Sequence, residues 1–285
     1  MSIDYDRLLN WKFPEVRQRI SQRDAILYAL GIGLGSDPLD ENQLRFVYEK
    51  SHQVLPTYPV VLGYPGFWLK DPETGVDWVR LVHGEQGIQI HRPLPSEGEV
   101  IGRTRVTGIV DKGAEKGALL YTERELTNAE NGELLATLTN TTFCRGDGGF
   151  GGPSGPVKPA PQLPQRPADV SIELPTLPQA ALLYRLNGDF NPLHVEPAVA
   201  RAAGFDRPIL HGLATMGVAG HALLRVVDYD PSALSSISVR FSAPVFPGET
   251  LTTDVWKEGG ELFFRTQVAS RNVVVLNNGH ATLRG

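Results

Sequence analysis

The sequence predicts an α+β protein assembled from two related halves, and three observations carry the prediction. A Gly/Pro-rich segment lies near the midpoint, short blocks recur in the same order on either side of it, and a helix-length stretch in the second half that is poor in charge leads into a run of alternating strands. The length permits this: 285 residues make one large domain or two of about 140.

In chain order, each half opens on a helical block, Ile26–Leu30 in the first and Leu182–Leu186 in the second. Each block is followed by a glycine-containing turn and a Pro-Leu pair, Pro38-Leu39 and Pro192-Leu193. A second shared block comes later, Arg92–Glu99 beside Ala243–Glu249. The separations agree, with 156 residues from Tyr28 to Tyr184 and 150 from Gly98 to Gly248, which indicates duplication. Between Arg145 and Val170 six glycines and six prolines in 26 residues cannot sustain a helix or a central strand. The expected division is therefore an N-terminal half at 1–144, a crossover linker at 145–170 and a C-terminal half at 171–285. Within the last, Gly212–Val227 is apolar, rich in small residues and poor in charge, as a buried helix would be. Ser236–Phe241, Thr250–Val255, Leu262–Val268 and Val273–Leu276 then alternate as antiparallel strands do.

Composition excludes several classes of function. Apolar residues at 41% and charged residues at 21% describe an ordinary globular chain and not a disordered one. The net charge of −5 gives nucleic-acid binding no electrostatic support, so no nucleic-acid partner is expected. The single cysteine, Cys144, excludes an internal disulfide framework and a cysteine metal cluster. No His-x-x-x-His pair occurs, so no metal is expected. Gly31–Ser36 has the wrong glycine spacing for a dinucleotide loop. No apolar run reaches the ~18 residues of a membrane span, the N-terminus lacks the regions of a signal peptide, and the chain ends Leu283-Arg284-Gly285, not in a Ser-Lys-Leu address. These features lead to the expectation of a cytoplasmic, bacterial location without membrane association.

Chemistry concentrates in Tyr184–His194. Pro192 forbids a regular helix through Asn191, so Asp189, Asn191 and His194 sit on a shaped loop where an acid, an amide and an imidazole can converge on one water. The same residues equally suit turn and capping duties ahead of a helix at Glu196–Ala203. Gly212 stands at the start of the buried helix, where a free amide can hold a developing oxyanion or the glycine can simply ease a turn. Tyr28, Tyr184, Phe67, Trp68 and Trp78 are candidates for an acyl pocket or for plain core.

The run from Tyr184 to Leu213, YRLNGDFNPLHVEPAVARAAGFDRPILHGL, resembles the motif of the (R)-specific enoyl-CoA hydratase 2 family within the MaoC-like dehydratases. Val239–Thr250, Trp256–Gly259, Arg23–Gly31, His83–Gln86 and the GDGGFGG run extend the resemblance, which is similar to the two-repeat hydratase 2 domain of peroxisomal multifunctional enzymes. It implies an α+β double hot-dog, in which an antiparallel sheet wraps a long central helix in each half and the halves pack as a pseudo-dimer. It implies Asp189 and His194 as the acid/base pair, Asn191 as the residue that positions water and the Gly212 amide as oxyanion donor. Tyr184, Arg185, Asn187, His211 and Arg207 become candidates for substrate binding. The first half lacks the acid and the histidine, so one active site per chain is expected, with that half forming the acyl pocket. The implied activity is reversible hydration of trans-2-enoyl-CoA to (3R)-3-hydroxyacyl-CoA, with no cofactor, by a homodimer of double hot-dogs. A hot-dog thioesterase and a non-catalytic acyl-CoA-binding protein are the competing readings.

Overall fold

The computed structural model describes residues 3–285. Ten strands form one antiparallel sheet: β1 Val16–Ile20, β2 Leu81–Ile90, β3 Gly98–Asp111, β4 Ala118–Asn128, β5 Leu134–Cys144, β6 Val170–Pro175, β7 Leu234–Phe241, β8 Thr250–Glu258, β9 Glu261–Val268 and β10 Val273–Leu283. Six α-helices accompany them among the described residues: α1 Tyr5–Leu9, α2 Gln22–Gly31, α3 Glu41–Val47, α4 Ala180–Tyr184, α5 Pro197–Ala202 and α6 Gly212–Val226.

The strand order is β1-β3-β4-β5-β2-β7-β10-β9-β8-β6. Exchanging each of the first five strands for the strand five places later reverses this order onto itself. The duplication seen in the sequence is thus a pseudo-two-fold in space, with its axis at the β2–β7 junction, where Glu85 to Gln89 pair with Arg240 to Ser236. The repeated helical blocks meet as well: the rings of Tyr28 on α2 and Tyr184 on α4 lie 5.9 Å apart and both are buried. These two tyrosines are core.

Local chemistry accounts for the helices. Ser21 and Asp24 close a capping box on α2, and α6 stays uncharged from Gly212 to Leu224 because nearly all of that stretch is buried. The expected double hot-dog is present, and its two halves differ in one respect: only the C-terminal half supplies a long central helix. In the first half the stretch between α3 and β2 carries short 3₁₀ turns at Tyr58–Val61, Trp68–Lys70, Pro72–Thr74 and Trp78–Arg80. Pro56, Pro59, Pro65 and Pro72, with Gly63, Gly66 and Gly75, prevent a continuous helix there. Helix α6 serves both halves instead. A β-carbon on Gly217 would lie 2.6 Å from Ile32, and one on Gly220 would lie 2.5 Å from Thr57, so only glycine lets α6 approach the first half this closely. One apolar cluster accordingly runs from Ile20 and Tyr28 through α6 to Leu276 and Ala281, and a second, smaller one lies around Leu69, Leu120 and Cys144.

Candidate active site

The loop after α4 is held open by its own side chains. Gly188 adopts φ +111°, a conformation that favours glycine, and the Asp189 carboxylate accepts from the Asn191 amide at 3.2 Å. The Asn191 side-chain oxygen caps the following turn by accepting from the Leu193 amide at 3.1 Å. Pro192 then turns the chain inward, so that Asp189 is exposed whereas His194, five residues on, is 9% exposed. Turn duty and placement of the chemistry are one arrangement here, not alternatives.

Two carbonyls fix the imidazoles. His194 Nδ1 lies 2.9 Å from the Ile209 carbonyl, which only accepts, so Nδ1 carries the proton and Nε2 is the bare nitrogen. His211 Nε2 likewise donates to the Asp189 carbonyl at 3.2 Å, leaving Nδ1 buried without a partner. The two rings stack at 3.7 Å, and the donor atoms of Asp189, His194 and His211 lie within 4.8 Å of one another. That set has the reach to surround a water or a cation, and the 16 residues between the histidines hid it from any motif. Burial pushes the His194 pKa below its ordinary value, while the Ile209 carbonyl and the Asp189 charge pull it back up. Burial and the His194 ring push His211 down to about 4, so it is neutral at pH 7. A neutral ring suits its place as the N-cap of α6, where a cation would oppose the helix dipole.

Gly212 is the first residue of α6, and its amide has no intrahelical acceptor. A β-carbon there would lie 3.2 Å from the Phe241 ring at the end of β7. Phe241 in turn packs at 4.6 Å from His83 of β2. His83 comes from the first half, and the Asp189 charge acts on it although packing pushes its pKa down to about 4. Its orientation depends on a bulge in β2 between His83 and Glu85, which puts His83 opposite Thr142 and Gln86 opposite Asn140, on one face. Sequence reading placed His83 only within a resembling block; the glycine that follows it inside a strand was the available signal. Phe241 likewise fell only within a strand and a resembling block, and Tyr64, whose phenol also feels the Asp189 charge, was not identified.

The remaining candidates are dispersed. Asn187 donates from Nδ2 to the Tyr184 carbonyl at 3.0 Å and closes the end of α4. Tyr184 is buried 5.0 Å from the His211 ring and backs the site. Arg185 lies over Phe190 and Arg207 over Phe246, so the structure does not bring these two cations together. Phe67 and Trp78 form an exposed pair around Lys70, away from the core.

Known proteins resemble the chain along almost its whole length. The family model described as "MaoC like domain" matches residues 159–278, and that described as "MFE-2 hydratase 2 N-terminal domain" matches residues 19–146. Peroxisomal enoyl-CoA hydratase 2 of Arabidopsis thaliana is 43% identical, over 98% of this chain and 95% of its own. The 3-hydroxyacyl-thioester dehydratase Y of Mycobacterium tuberculosis is also 43% identical, over 91% of each chain. A crystal structure of a MaoC-like dehydratase from Phytophthora capsici superposes with a TM-score of 0.86 at 37% identity, covering 98% of both chains. A further Mycobacterium tuberculosis protein, described as a double hot-dog, shares the fold at a TM-score of 0.57 and 14% identity. The expectation of a cytoplasmic location is corrected by these relatives: the Arabidopsis protein and the mouse multifunctional enzyme type 2 both carry peroxisomal names, and the chain ends on which that expectation rested do not decide the matter. With family models over both halves and 43% identity across almost the whole length, the chain belongs to the MaoC-like hydratase 2 family.

Proposed function

We propose that the protein hydrates trans-2-enoyl-CoA reversibly to (3R)-3-hydroxyacyl-CoA. The observation that carries this reading is the convergence of the Asp189 carboxylate and the bare Nε2 of His194, both on the loop after α4, with the N-terminus of α6. Asp189 and His194 share one water, and the pair removes a proton from it as its oxygen bonds to C3. The thioester oxygen takes up the resulting charge as an enolate and rests on the Gly212 amide. The pair then returns a proton to C2, so that water is consumed and nothing is oxidised or reduced. Asn191 holds the loop in register.

The first half, which reads Gly31–Ser36 where the second reads Asn187–Asn191 and has no histidine beside its Pro38-Leu39 pair, supplies wall and not catalyst, which gives one site per chain. Exposed Leu182, Leu186 and Phe190 beside the catalytic loop favour a homodimer, which light scattering on the eluted protein checks. The function itself is tested with crotonyl-CoA by following the enoyl-thioester absorbance together with free thiol. Hydration removes the absorbance without releasing thiol, a thioesterase releases thiol, and a binding protein does neither.

A further inference from the structure

Two stretches of chain, 15 to 22 residues apart in sequence, hold each other at the catalytic centre. The imidazole of His194, on the loop after α4, donates from Nδ1 to the Ile209 carbonyl at 2.9 Å. The imidazole of His211, two residues beyond Ile209, donates from Nε2 back to the Asp189 carbonyl at 3.2 Å. Each stretch thus gives one ring N–H to a main-chain oxygen of the other, and the two rings stack at 3.7 Å. The loop needs this anchorage. Residues 188–192 are all exposed, and the bonds from the Asn191 amide to the Asp189 carboxylate and from the Leu193 amide to the Asn191 side chain shape the loop without tying it to anything else. The stretch that carries His211 is fixed on both sides: the Leu210 amide donates to the Val245 carbonyl at 2.7 Å, and the His211 carbonyl accepts from the Thr215 amide at 3.1 Å in the first turn of the buried helix α6.

The two histidines are not equivalent. His194 is 9% exposed and keeps a bare Nε2 for chemistry, whereas His211 is 1% exposed and its Nδ1 is sealed from solvent. A ring so enclosed, with Tyr184 at its back, offers no surface to a substrate. Its contacts run instead to every part of the machinery: its Nε2–H holds the main chain of Asp189, its face lies on the ring of His194, and its carbonyl carbon is bonded to the nitrogen of Gly212. Few side chains could replace it. A cation would oppose the positive end of the helix dipole and compete for the Asp189 carboxylate, while a neutral imidazole supplies one N–H and a flat face.

We infer that His211 is a positioning residue, which sets the Asp189 carboxylate and the His194 ring in register with the Gly212 amide and does not itself touch substrate. The inference rests on the hydratase reading, since this register matters only to a reaction that uses the pair and the amide together. The test compares His211→Asn with His211→Gln in the full chain, with crotonyl-CoA as substrate. Both replacements are uncharged and both give up the stacked ring. The Gln amide nitrogen stands as many bonds from the backbone as Nε2 does and still reaches the Asp189 carbonyl; the Asn amide stands where Nδ1 does and falls short. Asn is also a favoured N-cap, so α6 should persist, as circular dichroism would show. His211→Asn should lower kcat by about 10–10²-fold with KM nearly unchanged, because a displaced catalytic group loses alignment in the transition state before binding suffers. His211→Gln should recover most of that loss. Amide hydrogen exchange read by mass spectrometry should be faster over residues 188–194 in His211→Asn than in the wild type or in His211→Gln.

A rise of KM with kcat kept in His211→Asn overturns the inference and makes His211 a substrate contact. Equal kcat in the two variants overturns it too, as does loop exchange at the wild-type rate in His211→Asn, because the Nε2 hydrogen bond then holds nothing. Hydrogen exchange needs no turnover, so a wild-type protein that leaves crotonyl-CoA untouched would defeat the hydratase reading while the exchange comparison still decides whether His211 holds the loop.

Discussion

The Ile209 carbonyl selects which nitrogen of His194 can take part in chemistry, and that choice has measurable consequences. With Nδ1–H committed to the carbonyl, only Nε2 can exchange a proton, and it must be unprotonated to accept one. Burial holds the His194 pKa below its ordinary 6.5, so kcat/KM should be flat above about pH 6.5 and fall below it as the ring protonates. The Asp189 charge works in the opposite direction by favouring the imidazolium. In Asp189→Asn the acid limb of the residual activity should therefore move to lower pH; a move to higher pH would show that the two groups are not coupled as described. Turnover itself should drop by about 10²–10⁴ in Asp189→Asn and in His194→Gln with circular dichroism retained. Near-wild-type turnover in either variant would remove that residue from the chemistry. Asp189, Asn191 and His194 were legible in the sequence because they fall within six residues around a proline. His211 was legible as a neighbour of Gly212, but its stacking on His194 depends on where the chain returns, which no local pattern encodes.

At the scale of elements, α6 does two jobs, and a pair of substitutions at its first residue separates them. His211 precedes Gly212 at φ −58° and ψ 136°, the extended geometry that a following proline favours, and proline is well tolerated at the first helical position. Gly212→Pro should therefore keep the helix while removing the amide hydrogen, lowering kcat by about 10²–10³. Gly212→Ala keeps the amide and brings the same crowding against Phe241, so it reports the steric part alone. Equal losses in the two variants, with the fold intact by circular dichroism, would mean that the amide hydrogen contributes nothing. The helix itself was readable from its lack of charge. The first half's replacement for it was not anticipated, because the resemblance implied a long helix in each half. The prolines and glycines of residues 56–75 carried the contrary signal. The β2 bulge belongs to the same class of feature: it inverts the side-chain alternation at His83 and becomes visible only once β2 is paired with β5.

At the scale of the whole molecule, buried histidines tie stability to pH. His221 on α6 is pushed down to about 4 by burial and by Arg225, and its Nε2 lies 3.0 Å from the Tyr229 hydroxyl, which reaches on toward Asp40 of the first half. His211 is also held near 4. Both rings are neutral when folded and titrate near 6.5 when unfolded, so their contribution is complete above about pH 6.5. As the pH falls toward 4 it is lost at roughly 1.4 kcal/mol per pH unit for each ring. Urea midpoints should decline steadily between pH 7 and pH 4.5, and a constant midpoint would mean that these rings are already protonated in the folded state.

The duplication was legible from blocks 150 and 156 residues apart, but not the fusion of both halves into one sheet and one core, which depends on β2 pairing with β7. That fusion makes a strong prediction for the C-terminal half produced alone as residues 159–285. Separation exposes the β7 edge and its inward residues Ile237 and Val239, and strips Ile32 and Thr57 from the glycine face of α6. The isolated half should be unfolded or should self-associate along β7, as size-exclusion chromatography and near-ultraviolet circular dichroism would show. Co-expression with residues 3–158 should restore a soluble pair and the activity. A folded, monomeric, active C-terminal half would show that the shared core is dispensable and that α6 needs no covering from the first half.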